Sequence, residues 1–145
     1  ASDERLYRAL LVSDLVTIHQ KTGIGRLSAY CGAVSAGCGA GAGIAYLLGG
    51  DYRAIAHTIV NAVAILSGTI CDGAKPSCAA KIASAVEAGI LGYYMYVNDQ
   101  QFRGGGGIVA KGVENTIRNV GLLASQGMKQ TDRVILNIMT GDQCL

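Results

Sequence analysis

A run of small residues in the first third of the chain limits the folds open to it more than any other feature. Residues 25–50 read GRLSAYCGAVSAGCGAGAGIAYLLGG, with seven glycines between positions 31 and 50. Each glycine disfavours an isolated helix by about 1 kcal/mol relative to alanine. Small side chains nevertheless allow another backbone or a bulky cofactor to come very close. We therefore expect this segment at the centre of the fold, with its helical last part ending at Gly49-Gly50.

Apolar residues recur at helical spacing on both sides of this run. Helices are predicted over residues 3–21, 52–68, 78–97, 108–126 and 131–139. Asp51 and Ser77 are the predicted N-terminal caps of the second and third of these, and the apolar positions of the first predict a wide buried face. The polar and glycine-rich residues 98–107 predict a loop. Sustained alternation of apolar and polar residues is absent, so the sequence predicts one all-α domain of about six helices, spanning residues 1–145.

Charge is sparse in this chain of 145 residues. The chain contains twelve Lys and Arg residues and ten Asp and Glu residues, which gives a net charge of +2. The basic residues are scattered along the sequence. Without a basic patch, the electrostatic footprint of nucleic-acid binding is missing. Residues 31–50 and 54–71 are uncharged over about a membrane width, but glycines in the first and polar residues in the second make both poor membrane spans. We expect buried helices, no nucleic-acid partner and no membrane partner.

The cysteine count points to thiol or metal chemistry. The five cysteines are Cys31, Cys38, Cys71, Cys78 and Cys144. An odd number in a chain without an export signal makes a full disulfide framework unexpected and a cytoplasmic location expected. Three interpretations stay open from the residues alone: small buried apolar residues, a zinc site, or ligands of an iron–sulfur cluster. The short C-x2–4-C spacing typical of zinc sites is missing.

The segment TICDGAKPSC, residues 69–78, is the place where two sulfurs can meet. Gly73 and Pro76 break the helical pattern there, so Cys71 and Cys78 can turn toward a common centre. By contrast, positions 31 and 38 on one straight helix lie roughly 10 Å apart along its axis, which is too far for one metal ion.

Four segments carry a resemblance to a known family. IGRLSAYCGAVSAG, ICDGAKPSCAAKI, GVENTIRNVG and TDRVILNIM together resemble the iron–sulfur-dependent L-serine dehydratase alpha-chain family, and are closest to its L-cysteine desulfidase-like branch. The resemblance covers about residues 10–140. It implies an all-helical domain that binds a [4Fe–4S] cluster through three cysteines, which correspond here to Cys31, Cys71 and Cys78. Cys38 does not match a ligand position and is interpreted as packing, whereas Cys144 matches a tail cysteine that can occupy the fourth iron.

The resemblance also implies an activity. Members of the family are lyases that eliminate the β-substituent of an amino acid, giving a 2-oxo acid and ammonia, with sulfide if cysteine is the substrate. The serine dehydratases carry a His-Asn pair just before the second cysteine, where residues 65–68 here read ILSG. This difference favours the desulfidase-like branch. The family's N-terminal substrate loops are absent, so we expect a longer protein or a companion subunit to complete the active site, and the extensive apolar surface also fits a homodimer.

Several polar residues are candidates for roles around the cluster. Asp72 and Lys75 lie in the ligand loop and are candidates for hydrogen bonding to the ligands or for binding the substrate carboxylate, and Ser67 is a candidate donor to a cluster sulfur. His19 and His57 are interpreted as structural. Two other functions stay open: a non-catalytic helical assembly domain and a zinc-structural module.

Overall fold

The computed structural model describes residues 1–141 and consists of six α-helices and one π-helical turn. They are α1 (Asp3–Ile24), α2 (Gly32–Leu47), α3 (Tyr52–Leu66), α4 (Ser77–Val97), α5 (Val113–Leu122), the π-helical turn Leu123–Gly127 and α6 (Lys129–Thr140). Within residues 1–141, β-structure is limited to one antiparallel bridge between Tyr30 and Ile70. The prediction of an all-α domain is confirmed.

Helix α2, formed by the small-residue run, lies at the centre of the domain. It packs against α1, α3 and α4. Val34, Cys38 and Ala42 of α2 are almost completely shielded from solvent, as are Ala62 and Val63 of α3. The core therefore forms around the glycine- and alanine-rich helix, as the sequence predicts.

Glycines on opposite sides of α2 set how closely its neighbours approach. A Cβ atom added to Gly41 would lie 2.7 Å from the Cα of Gly89 in α4, and one added to Gly37 would overlap the backbone carbonyl of Ala85. On the other side, a Cβ on Gly43 would lie 2.8 Å from the carbonyl oxygen of Ala9 in α1. Because such distances are below van der Waals contact, the packing of α1 and α4 on α2 requires glycine at these positions.

The packing of α1 differs from the prediction. This helix places its small and polar face against α2, where Gly39 lies against Thr17. Its leucine-rich face stays open: Leu11 and Leu15 are 60% and 63% exposed. The reason is steric, since a helix that approaches glycines to backbone distance must present small side chains at the contact. The expectation of a wide buried apolar face on this helix was therefore wrong within residues 1–141.

Two helix starts also differ from the sequence prediction. Ser77 is the first residue of α4 rather than its cap, and Pro76 occupies the capping position without a side-chain hydrogen bond. Helix α5 starts at Val113 instead of residue 108, because Gly112 precedes it with a φ of +88° that a helix cannot contain. By contrast, Asp51 caps α3 as predicted, accepting a hydrogen bond of 2.9 Å from the amide of Ala54.

Candidate functional site

The bridge between Tyr30 and Ile70 brings two of the predicted ligand segments together. The amide of Cys31 donates to the carbonyl of Thr69 over 3.2 Å, and the amide of Cys71 donates to the carbonyl of Ala29 over 2.7 Å. In such an antiparallel pair, residues on either side of the bridged pair point to the opposite face. Cys31 and Cys71 are thus diagonal neighbours on one face, a relation that places Cβ atoms roughly 7 Å apart in regular sheets.

Cys78 lies in the first turn of α4, and the loop before it wraps around its sulfur. The Sγ atom of Cys78 lies 3.5 Å from the amide nitrogen of Lys75 and 3.7 Å from the carbonyl oxygen of Gly73. Gly73 has a φ of +96°, a left-handed conformation that favours glycine and reverses the chain. The predicted break between the two cysteines is therefore present, and the loop returns Cys78 toward the segment that carries Cys71.

A carboxylate held between two lysines directly follows Cys71 in the chain. Asp72 accepts hydrogen bonds from the ammonium groups of Lys75 and Lys81, the second over 3.2 Å, and Lys81 also donates to the carbonyl of Ile70 over 2.7 Å. The bonds from Lys75 and Lys81 lower the pKa of Asp72 to about 2. Asp72 is therefore ionised throughout the physiological range, and it serves to hold the lysines rather than to exchange protons near neutral pH.

Lys81 places positive charge next to the thiols. Its hydrogen bond with Asp72 raises the pKa of Lys81, and the nearby Cys31 and Cys78 raise it further. Lys81 was not among the predicted site residues, although the sequence contains a signal for it: Lys81 follows Cys78 by three residues and so shares its helix face. The ammonium group of Lys81 therefore lies near two of the three predicted ligands.

Thiol ligands suit either a zinc ion or an iron–sulfur cluster. Within residues 1–141, no three His, Cys, Asp or Glu side chains are grouped so that they can hold one metal ion. Cys31 and Cys71 lie diagonally across the bridge, and Cys78 lies in the first turn of α4. The zinc and cluster interpretations of the cysteines therefore both stay open at this point.

The remaining candidates of the sequence analysis lie in different surroundings. The hydroxyl of Ser67 donates to the carbonyl of Ala64 over 3.4 Å, at the end of α3. His19 pairs with Glu114 over 2.8 Å, and the ring of His57 stacks on Tyr96. Both histidines therefore have structural partners outside the cysteine region. The predicted fourth ligand, Cys144, lies outside the described residues.

The cysteines differ in accessibility, which predicts an order of alkylation. Cys71 and Cys78 are half-buried, Cys31 is 5% exposed, and Cys38 is fully buried with its pKa raised by that burial to about 12. Because the thiolate is the reactive form, we expect iodoacetamide at pH 8 to modify Cys71 and Cys78 first and Cys38 last in the metal-free native protein. Peptide mass spectrometry over time measures this order. Equal rates for these four cysteines in urea are the control, and early modification of native Cys38 would contradict the structure.

These features define a class: an all-α domain in which one cysteine at the start of a glycine-rich helix lies beside a two-cysteine loop bordered by a lysine–carboxylate network. The family model described as serine dehydratase alpha chain matches residues 1–137. The chain belongs to the serine dehydratase alpha chain family, as the resemblance indicated. In residues 1–141, none of the helices combines the length and apolar character that crossing a membrane requires.

Similar proteins match almost the whole length of this chain. A UPF0597 protein of Desulfitobacterium hafniense is 69% identical over 144 residues, and one of Treponema denticola is 52% identical over 141 residues. A third, from Bacteroides fragilis, is 45% identical over 143 residues. These alignments cover 97–99% of this chain but 33% of each relative, so the chain spans about a third of the length of the curated relatives it matches. No solved structure matches the chain.

Proposed function

We propose that this chain is the cluster-binding portion of an iron–sulfur-dependent lyase that eliminates the β-substituent of a small amino acid. The observation that carries the proposal is the Tyr30–Ile70 bridge, which places Cys31 beside Cys71 although the two are 40 positions apart in the sequence. Cys78 joins them through the loop that reverses at Gly73. Membership of the serine dehydratase alpha chain family supports the same reaction class.

Cys31, Cys71 and Cys78 are the proposed ligands of a [4Fe–4S] cluster. With three protein thiolates, such a cluster supplies a Lewis-acidic iron with an open coordination position. Cys31 is fixed at the capping position of α2 by its backbone bond to Thr69, and Cys78 is fixed in the first turn of α4. Two of the proposed ligands therefore lie at the starts of helices, next to the positive ends of the helix dipoles.

The lysine–carboxylate network has two proposed roles. Lys81 compensates the negative charge of the thiolates, and Asp72 holds Lys81 in position through the 3.2 Å hydrogen bond. Lys75 is also paired with Asp72, which makes it less suitable for binding a substrate carboxylate than its loop position suggested. Ser67 is exposed only in part and directly follows α3, four residues before Cys71, so it is a candidate for orienting a ligand or the substrate.

The proposed substrate is L-cysteine, with L-serine as the second candidate. The residues before Cys71 lack the His-Asn pair of the serine dehydratases, and ILSG stands in its place. In the reaction, a base removes the Cα proton and the β-thiol leaves as sulfide. The resulting aminoacrylate tautomerises to an imine, which one water molecule hydrolyses to pyruvate and ammonia.

A companion portion is proposed to supply the base and the substrate loops. His19 and His57 have other partners, and the curated relatives are about three times as long as this chain. The exposed leucines of α1, including Leu11 and Leu15, form an apolar face of the kind that such a portion can cover. We therefore expect activity from the chain together with its companion portion.

Anaerobic reconstitution with iron and sulfide tests the proposal. We expect a brown protein with broad visible absorbance, about four iron and four sulfide per chain, and release of pyruvate and sulfide from L-cysteine at a higher rate than pyruvate from L-serine. Metal analysis that finds zinc without sulfide would favour the zinc-structural alternative. A colourless, iron-free protein after reconstitution would favour the assembly-domain alternative and overturn the proposal.

Replacing Lys81 tests the charge compensation separately. Because groups that orient metal ligands typically contribute 10- to 100-fold to affinity or activity, we expect Lys81→Met to lower the elimination rate by about that factor and to speed cluster loss to a chelator. Lys81→Arg should retain most of both, since it keeps the charge. Lys129→Met, which removes an exposed lysine on α6, is the matched control. Equal elimination rates and equal rates of cluster loss in Lys81→Met and Lys129→Met would contradict a role for Lys81 in the cysteine site.

A further inference from the structure

A cavity lies at the opposite end of α3 from the cysteine site. It has a volume of about 580 Å³ and is bounded by the first three turns of α3 and by residues 101–104 and 110–113. Cys71 follows the other end of this helix, and six residues of helix, roughly 9 Å, separate Val60 at the cavity from Leu66 at the helix end. Cavities of this size typically hold a small organic molecule.

The charge around this cavity is of one sign. Arg53, Arg103 and Lys111 line it, and its lining contains no Asp or Glu. Within the described residues, none of these three side chains forms an ion pair. The chain has nine other Lys and Arg residues and ten Asp and Glu residues. Without the three basic residues at the cavity, the protein would therefore have no net positive charge. Unpaired cations around a concave surface attract an anion.

The backbone at the cavity adds to this positive field. Helix α5 begins at Val113 on the cavity wall, and Gly112 before it has no side chain to cap the first amides. Helix α3 begins there as well, at Tyr52. The carboxylate of Asp51 caps the start of α3, so the uncapped start of α5 is the helix end that adds to the positive field of the three charged side chains.

Buried polar side chains hold the glycine-rich loop in place as one wall of the cavity. Asn61, which is fully buried, accepts a hydrogen bond of 3.0 Å from the amide of Phe102. Thr116, also fully buried, accepts one of 3.1 Å from the amide of Ala110. Gly104 lies so close to the chain at 110–111 that a Cβ atom would stand 2.6 Å from the amide nitrogen of Lys111. Arg103 and Lys111 are thus brought together by a loop closed at its base.

We propose that this cavity binds a small organic anion whose phosphate or carboxylate group pairs with Arg53, Arg103 and Lys111. The apolar body of the ligand lies against Val60, Phe102 and other nonpolar residues of the wall. The site is independent of the cysteine site, since it shares none of its residues and lies along the first three turns of α3, at the end away from Cys71. The proposal of an anion site therefore does not depend on the lyase proposal.

The ring of His57 provides a local reporter for the bound anion. His57 lines the cavity, and burial together with the neighbouring Arg53 lowers its pKa. An anion bound beside Arg53 offsets that positive charge, so the pKa of His57 should rise on binding. Only one other histidine, His19, is present, and its ring pairs with Glu114 outside the cavity lining, which makes it an internal reference.

Titration of the protein with phenyl phosphate, benzoate and inorganic phosphate, followed by NMR of the two histidine rings, tests the proposal. We expect phenyl phosphate or benzoate to shift the His57 signals in a saturable manner and to raise its pKa, and to bind more tightly than inorganic phosphate because of the apolar wall. Tighter binding of phenyl phosphate would indicate a phosphate group on the ligand, and tighter binding of benzoate would indicate a carboxylate.

A charge-matched pair of variants separates the site from the overall charge. The double variant Arg103→Gln/Lys111→Gln should weaken binding by at least about tenfold, since each lost charged hydrogen bond contributes about that much. The control Arg26→Gln/Lys129→Gln removes the same charge from exposed positions outside the cavity and should leave binding within about twofold. Equal weakening in both variants, or no saturable His57 shift with any probe, would overturn the proposal.

Discussion

Replacing Cys71 by alanine is expected to abolish both the visible absorbance of the reconstituted protein and the release of pyruvate from L-cysteine. The amide of Cys71 donates to the carbonyl of Ala29, two residues before Cys31, and Cys71 is the proposed ligand that joins the two segments. Removing one of three thiolates leaves too few ligands to keep the cluster. Iron and sulfide content, absorbance and initial rates under anaerobic conditions measure the effect.

Cys38→Ala is the matched control for this experiment. Cys38 is fully buried in the core of α2 and lies seven residues beyond Cys31. We expect this variant to keep iron, sulfide and activity while losing about 1 kcal/mol of stability from the small cavity it creates. Loss of the cluster in Cys38→Ala with retention in Cys71→Ala would reverse the assignment of ligand and packing residue.

Gly37→Ala is expected to have the largest effect on the fold. The added methyl group would overlap the backbone carbonyl of Ala85, which cannot move without shifting α4 away from α2. Overpacking of a well-packed interface costs about 1–3 kcal/mol and more where backbone must move, so we expect a loss at or above the upper end of that range. Urea unfolding monitored by circular dichroism measures the free energy of unfolding.

Gly32→Ala makes the same chemical change in the same helix without the clash. Gly32 is the first residue of α2, and a Cβ atom there has no neighbour within 4 Å. Because alanine has a higher helix propensity, this variant should be neutral or more stable by up to about 1 kcal/mol. If both glycine variants lost stability equally, the contact between α2 and α4 at Gly37 would not explain the loss, because Gly32 lacks that contact.

Local chemistry in the sequence determined most of the helical pattern. Periodic apolar residues predicted the helices, Asp51 predicted the start of α3, and Gly73 with Pro76 predicted the break between the two loop cysteines. These features depend on residues a few positions apart, and their effect is largely the same wherever the segment lies. The sequence motifs also carried the family resemblance, which the comparisons confirmed.

Tertiary structure alone decided which distant groups meet. Three contacts join positions that no local pattern relates. They are the bridge that sets Cys31 beside Cys71, the hydrogen bond from Lys81 to the carbonyl of Ile70, and the close approach of the loop that carries Arg103 to Lys111. The uncovered leucine face of α1 was unpredictable for the same reason, since the glycines of another helix select which side of α1 can approach. A periodic sequence shows that a helix has an apolar face, whereas the shape of the neighbouring helix determines which face is buried.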